Sequence, residues 1–305
     1  MLSVIIPAYN EEKMVAAACE RLNTILSRNK IENELIFIDD GSRDETWNII
    51  CQLSNVCPNV VGIHFSRNFG KEAAMFAGLE KAKGDCAVVI DCDLQHPPEK
   101  IVEMYQLWQA GYEVVEGIKS SRGNESSSHR FAAKTFYKLI SKATGLDMTD
   151  ASDFKLLDRK VIDTLNQMPE RKMFFRALSF WVGFKKTTVT YNVQERTQGE
   201  SKWSTKQLIK YAFTNLSSFS SAPLHIITVL GIAVLIIAIV FSLITLIQKI
   251  CGSAVEGFTT VIILLLFGFS AVMISLGIIA YYVGLIYEEI KGRPRYIISE
   301  TCGDK

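Results

Sequence analysis

The chain has 305 residues, with 33 Lys+Arg against 32 Asp+Glu and a formal net charge of +1. That balance singles out no partner by bulk charge and gives nucleic-acid binding no electrostatic footing. Seven cysteines, an odd number without a C-x-x-C pair, speak against a metal–thiolate site and read as reduced packing residues of a cytosolic protein.

Leu2-Ser3-Val4-Ile5-Ile6-Pro7 is an apolar run without the basic flank of a secretory signal, and reads as a buried strand. From there to Val114-Val115, strand-like runs at 2–6, 34–38, 60–65 and 87–90 alternate with helical apolar spacing at 11–27, 46–56 and 72–81. This rhythm predicts right-handed crossovers and a mostly parallel sheet, in which ligands collect at the carboxyl ends of strands. Tyr9-Asn10-Glu11, Asp39, Asp40, Asp91 and Asp93 all fall there. If strand geometry persists past residue 90, Asp91 and Asp93 point the same way and Gln95 continues the alternation. Two carboxylates with water and phosphate oxygens would then hold Mg²⁺ or Mn²⁺ against a diphosphate; the alternative is a solvated acidic turn. Asp39 and Asp40 could equally cap the helix that includes Thr46, although Asp44 is better placed to do so. Lys71 reads either as an exposed helix lysine or as a diphosphate contact. His64, His96, His129 and His225 show no ligand spacing, and Trp181 and Trp203 read as packing or interface anchors. Residues 120–128 form a polar Gly/Ser loop.

Beyond this region the chain turns toward a membrane. Helical spacing over 130–142 puts Ala133, Phe136, Tyr137 and Ile140 on one face and Arg130, Lys134, Lys138 and Lys142 on the other. This pattern suits a membrane surface, as does a second amphipathic run over 203–219. Residues 226–247 and 261–287 carry no charge, and each is long enough to cross a hydrocarbon core of about 30 Å. Lys206 and Lys210 on one flank, and Lys291, Arg293 and Arg295 on the other, predict a hairpin with both ends in the cytoplasm. The expected domains are 1–202 (with an interfacial helix near 129–143), a juxtamembrane helix at 203–221, two spans within 222–290, and a cytosolic tail at 291–305. Gly231, Gly268 and Gly277 offer a weak basis for self-association through the hairpin.

Three segments carry a resemblance: Val4-Ile5-Ile6-Pro7-Ala8-Tyr9-Asn10-Glu11-Glu12, Ile38-Asp39-Asp40-Gly41-Ser42, and Asp91-Cys92-Asp93-Leu94-Gln95-His96-Pro97-Pro98-Glu99. Together they resemble the inverting nucleotide-sugar glycosyltransferases of the GT-A fold. With 66–72, 152–159 and Arg196-Thr197-Gln198-Gly199-Glu200-Ser201-Lys202, the whole chain is similar to polyprenyl-phosphate glycosyltransferases. These are the dolichol-phosphate mannose synthases and, more closely, the bactoprenol glucosyltransferases. The resemblance implies that Pro7, Tyr9, Glu11, Asp39 and Asp91 hold the nucleotide. Asp91, Asp93 and Gln95 would organise the metal, and Asp93 and Asp153 would serve catalysis. Arg122 and Arg130 would contact the acceptor phosphate, and Arg196, Ser201 and Lys202 would form a loop near donor and membrane. It further implies one inverting transfer of a hexose from a nucleotide sugar, UDP-glucose first among donors, to undecaprenyl phosphate for cell-envelope glycan modification. GDP-mannose, UDP-N-acetylglucosamine and aminosugar donors stay open, as does a non-catalytic membrane scaffold. A flippase and a downstream glycosyltransferase would be partners. The Q-x-x-R-W motif of processive synthases is missing, in keeping with a single transfer. A phosphate monoester with a second pKa of about 6 is largely a dianion near pH 7. Such an acceptor hardly needs a base, so Asp153 acts either as one or as an orienting group.

Overall fold

The computed structural model describes residues 1–120, 152–170, 174–192, 222–250 and 257–303. Arg122, Arg130, Arg196, Ser201 and Lys202 lie outside these residues, as do the interfacial helix expected near 129–143 and the juxtamembrane helix. Two compact units are present, Met1–Leu208 with Pro294–Lys305, and Ile209–Arg293.

The first unit is built on eight strands: β1 (Leu2–Ala8), β2 (Asn33–Asp39), β3 (Val60–Phe65), β4 (Cys86–Val89), β5 (Val114–Lys119), β6 (Lys155–Asp158), β7 (Lys186–Tyr191) and β8 (Ile298–Cys302). Their order is β7-β5-β6-β4-β1-β2-β3-β8. Helices α1 (Val15–Arg28), α2 (Thr46–Val56), α3 (Lys71–Lys81), α4 (Glu99–Gln109), α5 (Arg159–Asn166) and α6 (Phe175–Trp181) connect them. Pairing is parallel at β1–β2, β1–β4, β2–β3 and β5–β7, and antiparallel where β6 and β8 enter. The central strands read as continuous apolar runs because helices cover them: Val4, Ile5, Ile6, Leu35, Ile36 and Phe37 are fully buried. Gly78 lets α3 lie flat on this sheet, since a Cβ there would come within 2.3 Å of Ile5 and 2.9 Å of Ile38.

The expected strands and first three helices are present, with ends shifted by a few residues. The segment expected as a cytosolic tail carries a strand: Ile298–Cys302 pairs antiparallel with β3 and closes the sheet edge. Trp47 Nε1 donates to Glu300 Oε2 at 2.9 Å, and the Tyr296 ring stacks on Phe65 at 4.9 Å. Ile-Ser-Glu-Thr-Cys is short, polar and largely exposed, so its own pattern gives little sign that an edge strand needs it.

The second unit consists of α7 (Ala222–Ile250) and α8 (Phe258–Ile290), which pack on one another. Among the described residues one helix is apolar and long enough to cross a membrane. That stretch is Phe267–Ile290, 24 residues of mean hydropathy 2.1, or about 36 Å at 1.5 Å per residue. In α7 the corresponding apolar stretch is the shorter Val229–Phe241. Leu235, Ile239, Phe269 and Ile274 are exposed along the two helices. Among the described residues, no atom lies within 4 Å of a Cβ placed at Gly231, Gly268 or Gly277.

Candidate active site

The chain lays β2 and β3 on one side of β1, then returns to place β4 on the other. That reversal makes β1 and β4 the switch point, with a crevice beyond their carboxyl ends. Asn10 (φ 54°) and Leu94 (φ 55°), two of three non-glycine residues with left-handed backbone among the described residues, sit where these strands run out, as strained residues often do at working sites.

On the β1–β2 side, carboxylates build the rim. Asp39 is fully buried; its Oδ1 accepts from the Ser42 amide at 3.0 Å, and its Oδ2 lies 2.7 Å from His64 Nδ1. Asp40 accepts from the amides of Phe69 (2.6 Å) and Gly70 (2.9 Å) and so fixes the loop that starts α3. Gly41 (φ +66°) permits this approach, because a Cβ would lie 2.5 Å from the Arg67 carbonyl carbon. Neither Asp39 nor Asp40 caps α2, whose N-cap position is Glu45; Asp44, one residue earlier, accepts from the Thr46 amide at 3.1 Å. Tyr9 keeps 37% of its surface exposed, Pro7 pairs with Ile38 inside the sheet, and the Glu11 amide donates to Thr46 Oγ1 at 2.9 Å.

Burial lifts the Asp40 carboxyl from 3.8 to about 6, against the pull of the Phe69 and Gly70 amides. The folded protein therefore holds this proton more tightly than the unfolded chain. Stability from this group is full below about pH 4 and is lost as pH rises through about 6, by roughly 3 kcal/mol. Asp40→Asn removes the titration. Its melting deficit against wild type should shrink by that amount between those pH values; a constant deficit would mean that Asp40 does not titrate there.

The β4 side holds the densest chemistry. Lys71, the first residue of α3, places Nζ 2.6 Å from Asp91 Oδ1 and 3.0 Å from Asp153 Oδ2. Arg176 on α6 grips the same Asp153 with Nε to Oδ1 at 2.7 Å and Nη2 to Oδ2 at 2.8 Å. Antiparallel pairing explains the meeting. Val89 at the end of β4 faces Lys155 at the start of β6, so the residues before β6 arrive where those after β4 emerge. Burial alone would raise the Asp153 carboxyl, but Lys71 and Arg176 outweigh it and hold it far below the usual range. The Asp91 carboxyl is likewise lowered, Lys71 overcoming burial. Glu72 beside them accepts from the Phe175 amide at 2.9 Å. Burial, reinforced by Asp153, pushes it up to about 7.

Asp93 does not continue a strand. β4 ends at Val89, the Leu94 amide turns back to the Asp91 carbonyl at 3.3 Å, and Asp93 Oδ1 accepts from the Gln95 amide at 3.1 Å. The alternation expected for Asp91, Asp93 and Gln95 gives way to a turn. Among the described residues no group of three or more His, Cys, Asp and Glu is arranged to hold a metal. Two carboxylates on one turn instead fit a hard cation such as Mg²⁺ or Mn²⁺ that takes its remaining ligands from water and a diphosphate.

Three residues missing from the expected site belong to it. Arg176 has a sequence signal, a lone charge inside the apolar run Phe174-Phe175-Arg176-Ala177-Leu178. His96 stacks on Phe154 at 5.0 Å with its buried Nδ1 3.9 Å from Asp91 Oδ2 and without a hydrogen-bond partner among the described residues. Lys155, fully buried, lies 3.1 Å from Glu116 Oε1 and donates to Ser179 Oγ at 2.6 Å. Glu116 also accepts from the Ser152 amide (2.8 Å), and Ser179 donates to the Arg176 carbonyl (3.0 Å). The buried pair therefore braces both ends of the Asp153–Arg176 contact. Trp181, expected as a packing or interface anchor, is 65% exposed at the end of α6.

A mostly parallel α/β sheet with a carboxylate pair at its switch point and cations beside it defines a glycosyltransferase of GT-A-like fold. The chain belongs to glycosyl transferase family 2, whose family model matches residues 3–165. It is 38% identical over 303 residues to "Uncharacterized glycosyltransferase YkcC" of Bacillus subtilis (strain 168), covering 99% of this chain and 94% of that one. It is 36% identical to "Prophage bactoprenol glucosyl transferase homolog" of Escherichia coli (strain K12), covering 98% and 99%. With "Bactoprenol glucosyl transferase" of Shigella phage SfII the identity is 35%, over 98% of each chain.

Proposed function

We propose that this enzyme transfers one hexose, glucose from UDP-glucose first among candidates, to polyprenyl phosphate with inversion, at the cytoplasmic face of a membrane. The observation that carries the reading is the clamped state of Asp153. A sugar hydroxyl acceptor needs a base, and a carboxylate bound by both Lys71 and Arg176 is a poor one. A phosphate dianion needs none, and its approach to an anionic donor calls for cations, which Lys71 and Arg176 provide. Full-length likeness to proteins named bactoprenol glucosyl transferases supports the same acceptor.

Asp91 and Asp93 would hold Mg²⁺ or Mn²⁺, which when bound neutralises charge on the departing diphosphate. Tyr9 offers an exposed ring for the nucleotide base. Pro7, Glu11 and Asp39 shape the rim around it, with Gln95 beside the metal pair. Arg122, Arg130, Arg196, Ser201 and Lys202 complete the proposed acceptor and loop contacts. The topology supports a second crossing. β8 follows α8 yet pairs with β3 in the sheet that precedes α7, a connectivity that an even number of crossings accommodates. With Phe267–Ile290 as one crossing, the 29-residue α7 is the other, about 44 Å long. Lys291, Arg293 and Arg295 mark that side as cytoplasmic.

Detergent-purified protein with polyprenyl phosphate and Mg²⁺ should move label from one of UDP-glucose, UDP-N-acetylglucosamine or GDP-mannose into organic-extractable lipid. Chelator and Asp93→Asn should abolish the transfer. Labelling that persists with both would sink the metal-assisted reading, and donor binding without lipid product would sink the acceptor.

A further inference from the structure

We propose that Lys71 is a resident counter-cation that makes metal loading at Asp91 depend on the nucleotide, so that ion and diphosphate enter together. The inference rests on the reading of Asp91 and Asp93 as the donor-metal pair. Lys71 is delivered to Asp91 by design of the fold: Asp40 holds the Gly70 amide at 2.9 Å, and Gly70 (φ +101°) turns the chain directly into Lys71. Its ammonium then sits 2.6 Å from Asp91 Oδ1. A divalent ion approaching that carboxylate alone meets an ammonium already there, and the turn supplies only one more carboxylate, Asp93.

A diphosphate changes the balance. Its oxygens offer the ammonium a new anionic partner, and the side chain has room to move, being 42% exposed. Asp91 is thereby freed for the ion. Asp153 is not stranded by the departure, because Arg176 grips both of its oxygens at 2.7 and 2.8 Å. The lysine leaves one stable pair behind and takes up another anion.

Mn²⁺ binding to the full-length protein in detergent, read from the electron paramagnetic resonance signal of the free ion, tests this without turnover. Wild type should bind Mn²⁺ weakly alone and about tenfold or more tightly with UDP. Lys71→Met and Lys71→Gln should gain about tenfold or more without nucleotide, the equivalent of one charge-assisted hydrogen bond, and respond less to UDP. Lys71→Arg, which keeps the charge, should behave like wild type. If the two neutral variants match wild type without nucleotide while UDP still promotes binding, the role of Lys71 is refuted and the donor site stands. If no protein binds Mn²⁺ even with UDP, the donor-metal reading falls and this inference with it.

Discussion

Asp153→Asn is expected to lower kcat for lipid glycosylation by about 10²-fold or more while leaving the acid limb of the pH–rate profile in place. Lys71 and Arg176 hold the Asp153 carboxyl far below its usual range despite burial. It stays ionised throughout any pH at which the enzyme is assayed. A carboxylate so reluctant to take a proton contributes little as a general base. Its contribution is geometric: it fixes the guanidinium of Arg176 and, in the substrate-free site, the ammonium of Lys71, two of the cations that face anionic substrates. Asn cannot hold both, so both drift. The acid limb should instead follow the acceptor phosphate, whose second ionisation lies near about pH 6. Initial rates from about pH 5 to about pH 9 for wild type and Asp153→Asn decide the matter. A limb that vanishes in the variant would make Asp153 the base after all.

Lys155→Met should cost about 3–5 kcal/mol of stability, because it leaves Glu116 buried without its cation. In a unit of this size that is a fall of roughly 6–20 °C in Tm. Burial pulls the Lys155 ammonium pKa down and Glu116 opposes it, so the pair is a compromise that only both members sustain. Lys155→Met with Glu116→Gln should recover most of the loss, since a Gln oxygen still accepts from the Ser152 amide. Melting curves of the single and double variants in detergent test this. A single variant melting with wild type would show that the pair carries no weight. Activity should fall in the single variant more than residual folding explains, because Ser152 and Arg176 both hang on this brace.

Local pattern determined a good part of this protein. The unbroken apolar runs at 4–6 and 35–38 can be buried on both faces only between helices, which dictates crossovers, a parallel core, and ligand chemistry at its carboxyl ends. The apolar helix Phe267–Ile290 likewise states its preference for lipid by length and composition. Motif resemblance added the family, to which the chain belongs. The tertiary structure decided what pairing across long separations controls. Lys71 and Asp153 are 82 positions apart, and nothing near either residue announces the other. They meet because β6 enters antiparallel beside β4, a choice made by the register of backbone hydrogen bonds. The turn at Asp91–Leu94 replaced an expected alternation for a similar reason: β4 ends at Val89, where its antiparallel partner β6 begins with Lys155, although β1 runs on to Ala8. The polar strand Ile298–Cys302 joins the sheet because β3 has an open edge to satisfy. Periodicity records how deeply a segment is buried, and only the assembled sheet records against what.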